Sequence, residues 1–257
     1  MTMSHQLTAW VRCPRPSDRA TVRLFCLPFG GGGAAIFRDW PRDLAPEIEV
    51  WHVQLPGREA RHREPPLTRM NALVEPLGYA MWPHLGRPYA IFGHSMGALI
   101  GFDLARWLCR HGAPEPAHLF FSARRAPHLV DPRPPLHALP DHDLVAQLTQ
   151  RYNGMPQAVL ESAELMRMFV PIIRADLTMT ETYVYTPEAP LACPISAFGG
   201  LEDSAVLRND LAAWGDQTSS SFTLRMLPGG HFFLQTIRPR LLAAIAADIR
   251  QTLAEAV

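Results

Sequence analysis

The stretch from Arg87 to Gly112, RPYAIFGHSMGALIGFDLARWLCRHG, constrains the fold more than any other. It opens with a short, continuous apolar run, as expected for a strand at the centre of a parallel sheet. It closes with a segment of helical length and periodicity, for which Gly112 is a fitting C-cap with Pro114 just beyond. Between them lies Gly93-His94-Ser95-Met96-Gly97, a Gly-x-Ser-x-Gly pattern. Strand, sharp turn and helix in that order form the context in which a serine is held on a strained turn. Side chains at 93 and 97 would collide with the neighbouring strand and helix, so both positions call for glycine. Ser95 Oγ would then project above the sheet at a helix N-terminus. The Met96 N–H would point where an oxyanion forms.

The rest of the chain alternates in the same way. TVRLFCLPF (Thr21 to Phe29) reads as a buried strand with GGGG directly after it. EVWHVQLPGRE (Glu49 to Glu59) reads as a second, and AHLFFSA (Ala117 to Ala123) follows the central helix. Residues before about 20 read as a loose lead-in. Alternating strands and helices imply an α/β fold with a mostly parallel sheet and right-handed crossovers. The pattern breaks between about 132 and 190, where a proline-rich entry leads into helix-like segments. We expect one domain over residues 1–257, with a core of about 20–131 and 191–257. The helical insertion at 132–190 reads as a lid. The methionines Met155, Met166, Met168 and Met179 are spaced for helix packing or for lining an adaptable apolar pocket. CPISAFGG and SFTLRMLPGG restore the sheet pattern, and a helix from about Pro239 to Ala256 closes the chain.

A serine on such a turn needs a base and an orienting acid, in the chain order serine, acid, histidine. His231 in LPGGHFFL follows a strand by a short glycine turn and is the expected base. His94 should point away from the site, and His52 reads as a satisfied core residue. His84, His111, His118 and His128 lack a matching context. Asp203 in FGGLEDSAV is the expected acid, holding the neutral imidazole tautomer. Glu202 is the alternative, but adjacent residues face different ways. The second oxyanion N–H is expected from Phe29 or Gly30, in the loop after the first strand. Asp141-His142-Asp143 reads as a helix N-terminus favouring acidic residues rather than a metal site. Arg58, Arg61, Arg63, Arg124 and Arg125 read as solvated.

Composition narrows the remaining classes. Formal net charge is zero, so bulk attraction to nucleic acid or an anionic membrane is not expected. All 24 basic residues are arginine, which excludes Schiff-base lysine chemistry and a Walker A phosphate loop. The four cysteines are widely spaced, as in a reduced, cytoplasmic protein. The N-terminal stretch lacks the apolar core of a secretory signal. No apolar run approaches the roughly 18 residues needed to span a bilayer.

LFCLPFGGGG…IFRDW, VQLPGREARHREP, FGHSMGAL, GGLEDSAV and LPGGHFFL are spread along the chain from Leu24 to Leu234, and the resemblance they carry covers nearly the whole of it. On these blocks the sequence resembles the type II, stand-alone editing thioesterases of polyketide and nonribosomal peptide synthesis, which are α/β-hydrolases. The resemblance implies hydrolysis of acyl thioesters on the phosphopantetheine arm of acyl or peptidyl carrier proteins. It implies Ser95 as nucleophile, Asp203 as acid and His231 as base, a helical lid at 132–190, and no cofactor or metal. A monomer is expected. Gly30 departs from the family, which usually has alanine there. A general carboxylesterase or lipase is the competing expectation, because it would use the same three side chains. A non-catalytic hydrolase fold is the third.

Overall fold

The computed structural model describes residues 9–44, 46–152 and 161–255. Met155 and Ala256 lie outside the described residues. Seven strands form one sheet: β1 (Val11–Arg12), β2 (Val22–Leu27), β3 (Ile48–Val53), β4 (Tyr89–His94), β5 (His118–Ser122), β6 (Ile195–Gly200) and β7 (Phe222–Leu227). Their order is β1-β3-β2-β4-β5-β6-β7, and among the described residues only the β1–β3 pair is antiparallel. The principal helices are α1 (Met70–Met81), α2 (Met96–Arg110), α3 (Asp141–Tyr152), α4 (Ala163–Glu181) and α5 (Arg238–Glu255). The described helices include none long and apolar enough to cross a membrane.

Period-two alternation sorts the strand side chains into two cores. Phe25, Leu27, Ile91 and Phe121 face α1 and α2. Leu24, Cys26, Phe92 and Phe120 face the other way, towards Leu241, Leu242 and Ile245 of α5. Both faces are covered, so β2 and β4 read as continuous apolar runs rather than alternating ones. A third cluster, Leu136, Leu144, Leu148, Val170, Ile173 and Leu177, joins α3 to α4. Burying each of these side chains contributes about 1.5–3 kcal/mol.

Two features depart from the sequence reading. The lead-in is docked: Val11 pairs with Val53, and Trp10 is buried beneath the Arg61 guanidinium, 4.0 Å from the ring centroid. A two-residue strand is too short to carry a periodic signal. Helix α1 has no counterpart in the sequence reading, because Pro76 interrupts its interior.

A buried polar network fastens α5 to the sheet. Arg225 forms a bidentate pair with Asp248, which accepts a hydrogen bond from Ser196 Oγ at 2.7 Å. Since the Ser196 proton goes to Asp248, His118 Nε2 must donate to Ser196 Oγ, at 2.9 Å. Ser196 is wholly buried and its proton faces a carboxylate, so this serine, histidine and aspartate hold structure rather than present a nucleophile. Burial lowers the His118 pKa to about 4. The folded state therefore binds fewer protons than the unfolded state between pH 6.5 and 4. The stability that neutral His118 contributes is complete above 6.5 and is lost as pH falls through that window, by about 3 kcal/mol. Urea unfolding at pH 7 and pH 4.5 should show a fall in midpoint that is smaller in His118→Gln. An equal fall in both proteins would refute the role of His118.

Candidate active site

The turn after β4 is strained. Ser95 has φ 52° and ψ −112°, a conformation costing on the order of 1–3 kcal/mol. A Cβ on Gly93 would lie 2.1 Å from the Gly97 carbonyl oxygen, and one on Gly97 would lie 2.3 Å from that of Leu27. Those contacts are with backbone, which cannot move aside, so the two glycines let β4, β2 and α2 meet at this turn. The Ser95 N–H donates to Ser122 O at 2.7 Å, tying the turn to β5.

The turns after β6 and β7 bring two further side chains to the serine. His231 Nε2 lies 3.0 Å from Ser95 Oγ, and its Nδ1 lies 2.8 Å from Asp203 Oδ2. A carboxylate only accepts, so Nδ1 carries the proton and Nε2 is free to take one from Ser95. Asp203 Oδ1 accepts from the Ala205 and Val206 N–H groups, which fixes the carboxylate plane. Asp203 and His231 are buried, whereas Glu202 is exposed, so the alternative acid is not at the site.

His94 has a part that the sequence reading missed. Its Nε2 donates to the His231 carbonyl at 2.8 Å, and its Nδ1 accepts from Ser122 Oγ at 2.9 Å. Burial holds its pKa well below the usual histidine range, which keeps it neutral. It fastens the backbone of the His231 turn to the strand that carries Ser95. His52 is core, as expected, but its buried Nε2 has no partner among the described residues, so it is not fully satisfied.

Opposite these groups is the glycine loop after β2. The N–H groups of Phe29, Gly30 and Met96 make no hydrogen bond to the described residues, and all three residues line the cavity that contains Ser95. The next N–H, of Gly31, donates to Asp176 Oδ2 at 2.7 Å. Asp176 sits on α4 and forms a bidentate pair with Arg58 at 2.7 and 2.8 Å. Arg58 also donates to Gly32 O, and Glu59 accepts from the Ala34 and Ala35 N–H groups. The loop is thus held from α4 and from the segment after β3. Here the structure corrects the sequence reading. Arg58, Arg61 and Arg125 are buried with hydrogen-bond partners and Arg124 is half-buried; only Arg63 is exposed. Charge in a loop does not imply solvation where a carboxylate folds against it.

The cavity above Ser95 measures about 400 Å³. Leu148 and Tyr152 of α3 and Phe169, Ile173 and Leu177 of α4 close it, with the Tyr152 ring 4.7 Å from that of His231. Its apolar wall is leucine, isoleucine and phenylalanine rather than the insertion's methionines: Met179 is in the core and Met168 is exposed. Asp141 and Asp143 lie in the first turn of α3, as expected.

Removing one partner of a buried ion pair strands the other charge, at a cost of about 3–5 kcal/mol. Asp176→Ala should therefore lower unfolding stability strongly. The double replacement of Arg58 by Met and Asp176 by Leu should recover most of that loss. Denaturant unfolding of the three proteins checks this, and a double variant no more stable than the single one would overturn it.

Comparison with known proteins agrees with this architecture. The thioesterase domain family matches residues 22–251. The gramicidin S biosynthesis protein GrsT of Aneurinibacillus migulanus is 40% identical over 254 residues, covering 99% of each chain. Among solved structures, the RedJ thioesterase from the prodiginine biosynthetic pathway in Streptomyces coelicolor superposes with a TM-score of 0.85 at 40% identity, over 92% of this chain and 94% of that one. The type II thioesterase BorB from the borrelidin biosynthetic cluster gives 0.85 at 38% identity, over 94% and 98%. The chain belongs to the thioesterase family and, within it, to the type II thioesterases of the α/β-hydrolase fold.

Proposed function

We propose that this protein hydrolyses acyl thioesters carried on the phosphopantetheine arm of acyl or peptidyl carrier proteins, clearing stalled or misprimed polyketide and nonribosomal peptide synthases. The observation that carries the reading is the hydrogen-bonded line Ser95–His231–Asp203, opening into an apolar cavity beneath α3 and α4. Ser95 Oγ attacks the thioester carbonyl as its proton passes to His231 Nε2. Asp203 stabilises the imidazolium without taking the proton. The N–H groups of Met96 and of Phe29 or Gly30 receive the oxyanion. The thiol leaves with the proton from His231; water then attacks the acyl-enzyme with His231 as base, the bond between the acyl carbon and Ser95 Oγ breaks, and His231 returns the proton to Ser95 as the free acid departs. No cofactor is needed for these steps. All the groups come from one chain, which supports a monomer as the working unit. The four free cysteines fit a cytoplasmic setting. The two insertion helices act as the lid.

Ser95→Ala should lower turnover by about three orders of magnitude or more while leaving the fold intact. Retained activity would remove Ser95 from the mechanism. The substrate class is checked by comparing release of an acyl group from a carrier protein with hydrolysis of the p-nitrophenyl ester of the same acid. A clear preference for the carrier thioester is expected, and preference for the simple ester would favour a general esterase.

The loop glycines should separate. A Cβ at Gly30 would come 3.3 Å from the flexible end of Ile173, so Gly30→Ala should keep near wild-type turnover. It should also gain about 0.4–1 kcal/mol of stability. Gly31 has φ +76°, and a Cβ there would meet the Phe169 ring at 2.6 Å. Gly31→Ala should lose both turnover and stability. Turnover and thermal unfolding of the pair test this, and similar behaviour in both variants would contradict it.

A further inference from the structure

Among the described residues, Arg124 is the one guanidinium on the wall of the Ser95 cavity, and it has no ion-pair partner there. Among the described residues no carboxylate lies within ion-pair distance of it, and its buried Nε makes no hydrogen bond. Its sequence neighbour behaves differently. Arg125 donates to Val130 O and lies 3.5 Å from both Asp131 and Asp210. Arg133, nearby, holds Asp131 with two hydrogen bonds. Burial pulls the Arg124 pKa below its ordinary value, and the opposing influence of Asp131, which pairs with Arg125 and Arg133 instead, does not cancel it.

The backbone presents this side chain deliberately. Ala123 has φ 51°, one of three positive values at non-glycine positions among the described residues. The other two are Ser95 and Glu59, the second of which caps the glycine loop. Strain at a non-glycine residue persists only where its surroundings enforce it. Here the Ala123 N–H donates to Phe198 O at 2.8 Å, and Trp214 Nε1 donates to Arg124 O at 2.7 Å. The main chain is fixed on both sides of the arginine.

Arg124 also lines a second cavity, of about 510 Å³. Tyr152, Leu177 and Thr180 are shared between the two, so Arg124 stands at their junction. Arg125, Arg133 and Arg151 line the second cavity as well. Arg124, in the turn after β5, faces a wall laid by α3 and α4 that is largely apolar apart from Thr180 and Asp176, whose charge is taken up by Arg58. A single cation facing such a wall fixes the orientation of one polar group of a ligand.

We propose that Arg124 binds an anionic oxygen of the substrate at the junction of these two cavities. Two parts of an acyl-phosphopantetheine thioester offer that chemistry: a carboxylate on the acyl chain, or the phosphate of the arm. The proposal rests on the thioesterase reading above, and it makes Arg124 a determinant of which thioesters are cleared.

The test uses the whole protein and two matched pairs of thioesters. One pair is a neutral acyl group on pantetheine and on phosphopantetheine. The other is pantetheine bearing acyl chains of equal length, with and without a terminal carboxylate. Wild type should prefer the anion-bearing member of one pair. Arg124→Met should erase that preference through KM, lowering kcat/KM for that member roughly tenfold to a hundredfold and leaving the neutral member close to wild type. Arg124→Lys should restore part of it. The pair that responds identifies the source of the anion. An equal loss on all four substrates, or no preference in wild type, overturns the proposal.

Thermal unfolding supplies a readout separate from catalysis. Arg124→Met should melt no lower than wild type, because a half-buried guanidinium without an ion-pair partner has been removed. Inorganic phosphate should raise the wild-type melting temperature more than that of the variant if the arm's phosphate is the ligand. A variant that melts well below wild type would mean that Arg124 is structural. If the thioesters prove poor substrates altogether, matched p-nitrophenyl esters with and without a terminal carboxylate test the acyl arm alone. Failure of the thioesterase reading is thereby separated from failure of the Arg124 assignment.

Discussion

The ion pair between Arg58 and Asp176 is the point on which the glycine-loop side of the site depends. Taking two charges out of water costs several kcal/mol for each ion. The cost is offset here because both carboxylate oxygens are used, one of them twice. Asp176 Oδ2 accepts from Arg58 Nη1 and from the Gly31 N–H, and Arg58 reaches on to Gly32 O. Three segments distant in sequence therefore meet at one carboxylate: the loop after β2, the turn after β3 and helix α4. The N–H groups of Phe29 and Gly30, which line the cavity, are those this arrangement does not consume.

The proton-transfer side is built differently. Ser95, Asp203 and His231 stand beyond the C-terminal ends of β4, β6 and β7, parallel strands of one sheet whose ladder, through β5, sets their spacing. Leu27 is in register with Gly93, and His94 with Ser122. His94 then fastens the His231 turn back onto this edge. Strain at Ser95 is tolerated because the sheet over-determines the turn. Helices α3 and α4 supply none of these three groups, although Tyr152 packs against the imidazole. The hydrogen-bonded line belongs to the sheet, and the cover of the cavity belongs to the insertion.

This division explains what could be read from the sequence. Strand β4, its turn and α2 were legible because one periodicity gives way to another across two glycines. Asp203 separated from Glu202 because neighbouring residues on a turn cannot share a direction, and the structure buries one and exposes the other. Arg58 was not legible. Its partner lies 118 residues away, so local charge patterning made it look solvated. Arg124 was missed for the opposite reason, since only the fold reveals that it has no partner. Helix α1 was hidden by Pro76 and β1 by its length. His118, Ser196 and Asp248 show that residue types alone mislead. They meet as closely as the site residues do, but the serine proton points at the acid instead of the imidazole.

The seating of α4 on the glycine loop also limits how such an enzyme can diversify. An insertion transplanted from a relative could bring a differently shaped chamber and leave the proton-transfer line untouched. It could not be grafted freely, however. Any replacement helix would have to deliver an acidic side chain to the place where Asp176 meets Gly31 and Arg58. Without one, the incoming chamber would sit over a loop with no anchor and a guanidinium with no counterion. The exchangeable part of the molecule thus carries a one-residue adaptor to the part that stays.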